Sequence, residues 1–167
     1  RACAERLGCR VAQGYGMTES SPVSHAIPHP GGLVRPGSIG PCVPNLECRI
    51  VDLATGEDAP AGEPGELWMR GPNVMKGYLN NPQATAETID ADGWLHTGDI
   101  AVVDEGGYFT IVDRVKELIK DKGYQVPPAE LEALLITHPR VADVAVIGIP
   151  DPECGEVPKA YVVLSGE

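Results

Sequence analysis

A change in hydrophobic pattern close to Asp113 constrains the fold of this chain more than any other sequence feature. Before it, residues 94–103 and 108–112 form two strand-like segments around Asp-Glu-Gly-Gly at 104–107, which is typical of a hairpin turn. After it, the pattern predicts a short hairpin, one amphipathic helix and two further strands. The sequence therefore predicts β-rich material up to residue 113 and a small α+β unit after it.

The remaining predicted elements are short and are separated by glycine and proline. Asn81-Pro82 is a typical N-cap and first position of a helix, and Pro127-Pro128 opens another that His138-Pro139 ends. Gly14 to Gly16 is typical of a turn. The other predictions are the end of a helix at 1–9, strands at 10–13, 48–52, 66–70, 141–149 and 159–164, a loop at 21–44, and a hairpin around 122–123.

The charge balance excludes two classes of function. A net charge of −11, from 13 lysine and arginine against 24 aspartate and glutamate residues, argues against a general nucleic-acid or anionic-membrane binder. Four of the cationic residues fall within residues 114–122. This segment is either a solvated linker or a local site for a polyanionic ligand. The five cysteines include no C-x-x-C pair, which argues against a zinc site and favours a reducing, cytoplasmic location. No apolar run approaches the roughly 20 residues that a membrane helix needs.

The first candidate site is the block Q-G-Y-G-M-T-E at 13–19. Gly14 and Gly16 allow close backbone approach to a ligand, and Tyr15 offers a flat face on which a base could stack. Thr18 supplies a hydroxyl for a phosphate, and Glu19 supplies oxygen ligands of the kind Mg²⁺ prefers. Taken alone, the block favours a structural turn over a binding site.

The second and third candidate sites are G-W-L-H-T-G-D at 93–99 and the segment that begins D-R-V-K at 113. A carboxylate at Asp99 could accept both hydroxyls of a ribose, and Arg114 could donate to the same ribose. The alternative is an aspartate at a strand end that caps a turn.

In order and spacing, these three blocks resemble the signature motifs of the adenylate-forming (AMP-dependent) synthetase and ligase superfamily. The sequence I-K-D-K-G-Y-Q-V-P-P-A-E-L-E at 119–132 resembles its branch of 4-coumarate–CoA ligases, acyl-CoA synthetases and luciferases. The resemblance also includes G-E-L-W-M-R-G at 65–71, M-K-G-Y at 75–78 and G-E-V-P-K-A-Y-V at 155–162. It implies an enzyme that activates a carboxylic acid with ATP to an acyl-adenylate and transfers the acyl group to coenzyme A.

The resemblance also implies an α/β fold. Residues 1–113 would end a large AMP-binding domain with barrel-like strands, and residues 114–167 would start a mobile α+β lid. The implied roles are adenine stacking for Tyr15 between Gly14 and Gly16, phosphate contact for Thr18, Mg²⁺ binding for Glu19, ribose binding for Asp99 and Arg114, the hinge for Lys116, adenylate contact for Lys120 and Gln125, the pantetheine passage for Gly123, and the acyl pocket for Gly16, Pro22 and Val23. Thr18, Glu19 and Lys120 would be the catalytic residues.

The match departs from the family pattern at three places. The upstream phosphate loop and the near-terminal catalytic lysine are not in this sequence, so we expect a piece of a longer protein that is inactive alone. Pro127 stands where alanine is usual before P-A-E-L-E. Pro22 and Val23 favour an aromatic acid over a fatty acid. The alternatives are a luciferase-like or carrier-protein-loading adenylating enzyme and a non-catalytic nucleotide-binding remnant.

Overall fold

The computed structural model describes residues 2–28 and 33–166, which divide into two compact units. Unit 1 comprises the chain up to Thr97 together with Ala101–Ile111. Unit 2 comprises Gly98–Ile100 together with the chain from Val112 onward. None of the helices formed by the described residues is long and apolar enough to cross a membrane.

Unit 1 is built on a four-stranded sheet with the strand order β3-β4-β5-β6. Its centre is a cluster in which Leu67, Met69 and Leu95 are completely buried and Phe109 is nearly so. A separate two-stranded sheet pairs β1 with β2. The elements are α1 (Ala2–Leu7), β1 (Gly14–Gly16), β2 (Val23–Ala26), β3 (Glu47–Val51), β4 (Gly65–Arg70), α2 (Pro82–Thr88), β5 (Leu95–Val103) and β6 (Phe109–Arg114). Strands β5 and β6 each contain residues of both units.

Helix α2 begins where the sequence predicts it, because its first turn is satisfied locally. The Asn81 side chain accepts a hydrogen bond of 3.0 Å from the Ala84 amide. Pro82 occupies the first helical position, where its missing N–H has no helical partner to lose.

Unit 2 contains a four-stranded sheet with the strand order β8-β7-β10-β9 and one helix. Among its hydrophobic side chains from Val112 onward, Ile119 and Val146 are the most buried. Strands β9 and β10 form a long antiparallel hairpin, from Gly155 opposite Asp151 to Leu164 opposite Val141. The elements are β7 (Ile119–Asp121), β8 (Tyr124–Val126), α3 (Pro128–Leu135), β9 (Val141–Asp151) and β10 (Gly155–Leu164).

The predicted mixed α/β architecture is confirmed, and three local predictions are wrong. The predicted loop at 21–44 contains strand β2. Residues 10–13 are not a strand, and Gly14–Gly16, predicted as a turn, is strand β1. The strand forms because Tyr15 pairs with His25 across the intervening residues, and this tertiary pairing overrides the local preference of glycine for turns.

Candidate active site

The first candidate block lies on a tight connection between β1 and β2, residues 14–23, which we call the Glu19 turn. Gly16 is required there, because a Cβ atom would lie 1.8 Å from the carbonyl oxygen of Pro22. A Cβ on Gly14 would lie 3.1 Å from the His25 carbonyl oxygen, which is tight but less severe. The sequence predicts that these glycines let the backbone approach a ligand closely. At Gly16, the close approach in the structure is between two parts of the chain itself.

The middle of the Glu19 turn is a single 3₁₀ turn at Thr18–Ser20, which Ser20 stabilises. The buried Ser20 hydroxyl lies 3.0 Å from the Met17 carbonyl oxygen and 3.1 Å from that of Pro22, and it accepts from the Met17 amide at 3.2 Å. Thr18 is exposed and Glu19 is half-buried. The turn thus carries a hydroxyl and a carboxylate on consecutive residues of a hydrogen-bonded backbone.

The ring of Tyr15 is half-buried and rests on a buried histidine. The ring centroids of Tyr15 and His25 are 5.9 Å apart with an interplanar angle of 62°, and His25 makes a similar edge contact with Phe109 at 4.7 Å. Burial lowers the pKa of His25 from 6.5 to about 4, so the ring is neutral near pH 7. Its Nδ1 is hydrogen-bonded to the Ser24 hydroxyl at 3.0 Å. Within the described residues its Nε2 has no hydrogen-bond partner.

Glu19 is held from a distant part of unit 1, the M-K-G-Y segment. The Tyr78 hydroxyl donates to Glu19 Oε1 at 2.8 Å, and the Met75 amide donates to the Glu19 carbonyl oxygen at 2.8 Å. The hydrogen bond to Glu19, with partial burial, raises the pKa of Tyr78.

In unit 2, the structure pairs the two residues predicted to bind a ribose. Arg114 Nε lies 3.1 Å from Asp99 Oδ1, and the side chains are 67% and 10% exposed. An ion pair with so exposed an arginine contributes roughly 0.2–1 kcal/mol to stability. Its importance is therefore the orientation of the Asp99 carboxylate rather than the stability of the fold.

Lys116, the predicted hinge residue, is exposed in a 3₁₀ turn at Val115–Glu117. Asp113, which sequence reasoning did not single out, anchors this connection. Its Oδ1 accepts from the Arg114 amide at 2.7 Å, and its Oδ2 accepts from the Ala129 amide at 3.4 Å. The buried Asp113 carboxylate thus ties the start of the connection to the first turn of α3.

Lys120 and Gln125 are directly opposite each other in strands β7 and β8, which we call the Lys120 hairpin (residues 119–126). Both side chains are exposed, as is Gly123 at the tip. Gly123 has φ = +86°, and a Cβ there would meet nothing within 4 Å. The Lys120 amide donates to Glu156 Oε2 at 2.8 Å, so the G-E-V-P-K block supports the hairpin.

The structure therefore groups the candidate residues into sets within each unit. In unit 1, one cleft is lined by Gly14, Tyr15, Gly16, Pro22 and Val23. In unit 2, Asp99 meets Arg114, and Lys120 faces Gln125. Sequence reasoning missed His25, Tyr78 and Asp113. His25 lies in a segment predicted as a loop, so nothing marked it. Tyr78 and Asp113 lie in blocks that the sequence marks, M-K-G-Y at 75–78 and D-R-V-K at 113, but neither residue was given a role there.

Two family models match the chain. The AMP-binding enzyme model matches residues 1–79, and the model of the AMP-binding enzyme C-terminal domain matches residues 130–167. A curated relative, probable 4-coumarate–CoA ligase 3 from Dictyostelium discoideum, is 56% identical over 154 residues, which is 92% of this chain and 28% of the relative. The chain thus spans less than a third of the length of that relative.

Solved structures with the same fold include two proteins with a bound nucleotide or adenylate. ATP-bound MatB from Rhodopseudomonas palustris has a TM-score of 0.85 and 38% identity, over 95% of this chain and 31% of that one. The o-succinylbenzoate CoA synthetase MenE from Bacillus subtilis, in complex with its acyl-adenylate intermediate, has a TM-score of 0.79 and 34% identity, over 99% of this chain and 34% of that one. With the two matching family models, the curated relative and the shared fold, this chain belongs to the adenylate-forming family of AMP-binding enzymes.

Proposed function

We propose that the full-length protein is an AMP-forming acid–CoA ligase, which activates a carboxylic acid with ATP and transfers the acyl group to coenzyme A. The observation that carries this proposal is the 56% identity with a 4-coumarate–CoA ligase across 92% of the chain. The geometry within each unit supports it, because the residues that the resemblance assigns to one ligand group are neighbours in the structure.

In the first step, a carboxylate oxygen of the acid attacks the α-phosphorus of ATP, and pyrophosphate leaves. Tyr15 stacks on the adenine, with its ring already supported by His25. Asp99 accepts from the ribose hydroxyls and Arg114 donates to the same sugar. Because Arg114 already directs the Asp99 carboxylate, less ordering remains when the nucleotide binds.

Thr18, Glu19 and Lys120 bind the phosphate groups or the metal ion that accompanies them. Thr18 is exposed for a phosphate contact, and Lys120 and Gln125 contact the adenylate. The half-buried Glu19 carboxylate fits a Mg²⁺ ion, because it offers hard oxygen ligands beside the phosphate-binding hydroxyl. When bound, Mg²⁺ neutralises negative charge on the phosphates.

In the second step, the sulfur of coenzyme A attacks the acyl carbon, and AMP leaves with the electron pair of the broken C–O bond. Gly123 lines the pantetheine passage, where the open space around it leaves room for a thin chain. Lys116 is the hinge between the end of the large domain, residues 1–113, and the mobile lid that begins at residue 114. The four described cysteines are free thiols, which suits the cytoplasmic location we propose.

We propose an aromatic acid as the substrate rather than a fatty acid. Pro22 and the 49%-exposed Val23 offer a flat apolar wall to the cleft of unit 1. The names of the curated relatives, which are 4-coumarate–CoA ligases, favour the same class.

The test is a product analysis of the full-length protein with ATP, Mg²⁺, coenzyme A and matched panels of hydroxycinnamic and fatty acids. We expect one acyl-CoA, one AMP and one pyrophosphate per turnover, with acyl-adenylate accumulating when coenzyme A is omitted. Release of ADP would contradict the proposal. Adenylate without any thioester would identify an enzyme with another acceptor, and no ATP turnover with any acid would identify a non-catalytic remnant.

A further inference from the structure

The M-K-G-Y block at 75–78 has no role in the proposed function, yet the segment that contains it contacts the Glu19 turn at three residues. The Asn73 amide nitrogen donates to the carbonyl oxygens of Ser20 at 2.9 Å and of Val23 at 3.3 Å. The Met75 amide donates to the Glu19 carbonyl oxygen at 2.8 Å. These bonds fix the backbone of the turn from a segment 50 or more residues away in sequence.

Tyr78 adds a bond that reaches the Glu19 side chain itself. Its hydroxyl donates to Glu19 Oε1 at 2.8 Å. A glutamate side chain has three rotatable bonds, and without such a partner it samples several rotamers. With Oε1 accepting from Tyr78, the direction of Oε2 is set before any ligand arrives.

The backbone at Tyr78 is in turn held by helix α2. The Tyr78 amide donates to Thr85 Oγ1 at 2.9 Å, and that hydroxyl donates to the Asn81 carbonyl oxygen at 2.9 Å. Gly77 has φ = +143°, and a Cβ there would lie 2.7 Å from Thr85 Cγ2. The glycine of the block thus lets the chain approach Thr85, and this approach fixes the backbone from which the tyrosine reaches Glu19.

We propose that Tyr78 is a positioning residue that orients the Glu19 carboxylate for the Mg²⁺ ion that accompanies ATP. The inference rests on the proposed function of Glu19 as a metal ligand. Tyr78 restricts Glu19 to the rotamer in which one carboxylate oxygen accepts a hydrogen bond from the phenol, so that the other would be free to hold the metal, and this lowers the ordering cost of binding.

The experiment measures nucleotide binding rather than turnover, in the full-length protein. The affinity for a non-hydrolysable ATP analogue is determined by calorimetry with and without Mg²⁺, and the ratio gives the increase that the metal provides. We expect Tyr78→Phe to reduce this increase about three- to tenfold, which is the cost of ordering one flexible side chain when the metal binds. Its metal-free affinity should stay within about twofold of the unchanged protein.

Two further variants make the result interpretable. Glu19→Gln should remove most of the metal-dependent increase, and Tyr161→Phe, which deletes a hydroxyl from a half-exposed tyrosine on β10, should change nothing. An unfolding midpoint for each variant checks that the fold is intact.

The outcomes separate the inference from the proposed function. If Glu19→Gln has its effect and Tyr78→Phe does not, the positioning role is wrong and the metal role of Glu19 stands. If Tyr78→Phe weakens binding equally with and without Mg²⁺, its role is structural and the inference is overturned. If Glu19→Gln leaves the metal effect unchanged, the metal assignment in the proposed function is wrong, and the role of Tyr78 is lost with it.

Discussion

The Glu19 turn and the Lys120 hairpin are both short connections that carry candidate site residues, and they are built in opposite ways. In the Glu19 turn, backbone atoms of Pro22 and Val23 block the position that a Cβ on Gly16 would take, and Ser20 is completely buried. In the Lys120 hairpin, Lys120, Gly123 and Gln125 are all exposed, and the glycine at the tip has open space around it. The first arrangement suits a site that must be fixed before the ligand binds, and the second suits residues that act from a moving element.

The largest effect that this comparison predicts is at Gly16. Gly16→Ala places a methyl group 1.8 Å from the Pro22 carbonyl oxygen, so the backbone of the Glu19 turn must move. We expect a loss of adenylate formation of at least about a hundredfold, since misplacement of site residues by about 1 Å has that cost. Pyrophosphate release by the full-length variant measures it. Wild-type activity would mean that the turn is not rigid.

The next effect concerns the hinge assigned to Lys116. Proline fixes φ near −65°, so Lys116→Pro should restrict rotation at this residue. We expect adenylate formation to stay within about tenfold of wild type, which is about 1.4 kcal/mol in barrier, while thioester formation from preformed adenylate falls far more. Lys116→Ala should leave both steps nearly intact. Single-turnover measurements decide, and equal losses in both steps would contradict the hinge.

A smaller effect is expected at Asp99, the acceptor that Arg114 orients. Asp99→Ala removes the proposed charge-assisted acceptor for the ribose hydroxyls and should weaken ATP binding by about 1.5–3 kcal/mol. Asp99→Asn should have a milder effect, since its amide oxygen can still accept one hydrogen bond. Calorimetry on the full-length protein measures these changes. An unchanged affinity in the alanine variant would remove Asp99 from the site.

The smallest effect is at Gly123, the counterpart of Gly16 in the Lys120 hairpin. Gly123→Ala meets no neighbouring atom, but its φ of +86° is unfavourable for any residue with a Cβ. We expect a cost of about 1–2 kcal/mol in the stability of the hairpin, with no effect on adenylate formation. Hydrogen exchange of the hairpin amides checks this cost. A loss of adenylation as large as that of Gly16→Ala would erase the distinction between the two connections.

Local chemistry explains which parts of the fold were predictable from sequence. The cap at Asn81-Pro82 and the hairpin turn at 104–107 depend on residues within four positions of each other, and the structure has both where the pattern predicts them. Strand β1 depends on pairing with β2 across the 3₁₀ turn, so its glycines were mistaken for a turn. Elements that exist through tertiary contacts leave weak local signals.

The same distinction applies to the candidate site. Tyr15, Glu19 and Asp99 are marked by motifs, because each motif surrounds the residue with glycine or threonine in a recognisable order. Tyr78 contacts Glu19 across 59 positions of sequence, and Asp113 reaches Ala129 across 16. Such contacts follow from the folded arrangement alone, so the residues that support a site are less visible than the residues that form it.

The buried histidine beneath Tyr15 makes the folding stability of unit 1 sensitive to acid. His25 has a pKa of about 4 in the folded chain, against 6.5 for an exposed histidine. Above pH 6.5 the ring is neutral in both the folded and the unfolded chain, so its contribution to folding stability does not change with pH. Between pH 6.5 and 4 only the unfolded chain takes up the proton, so folding stability falls by up to about 3 kcal/mol over this interval. His25, which supports the ring of Tyr15 proposed to stack on adenine, is thus also the residue through which acidification would destabilise that support.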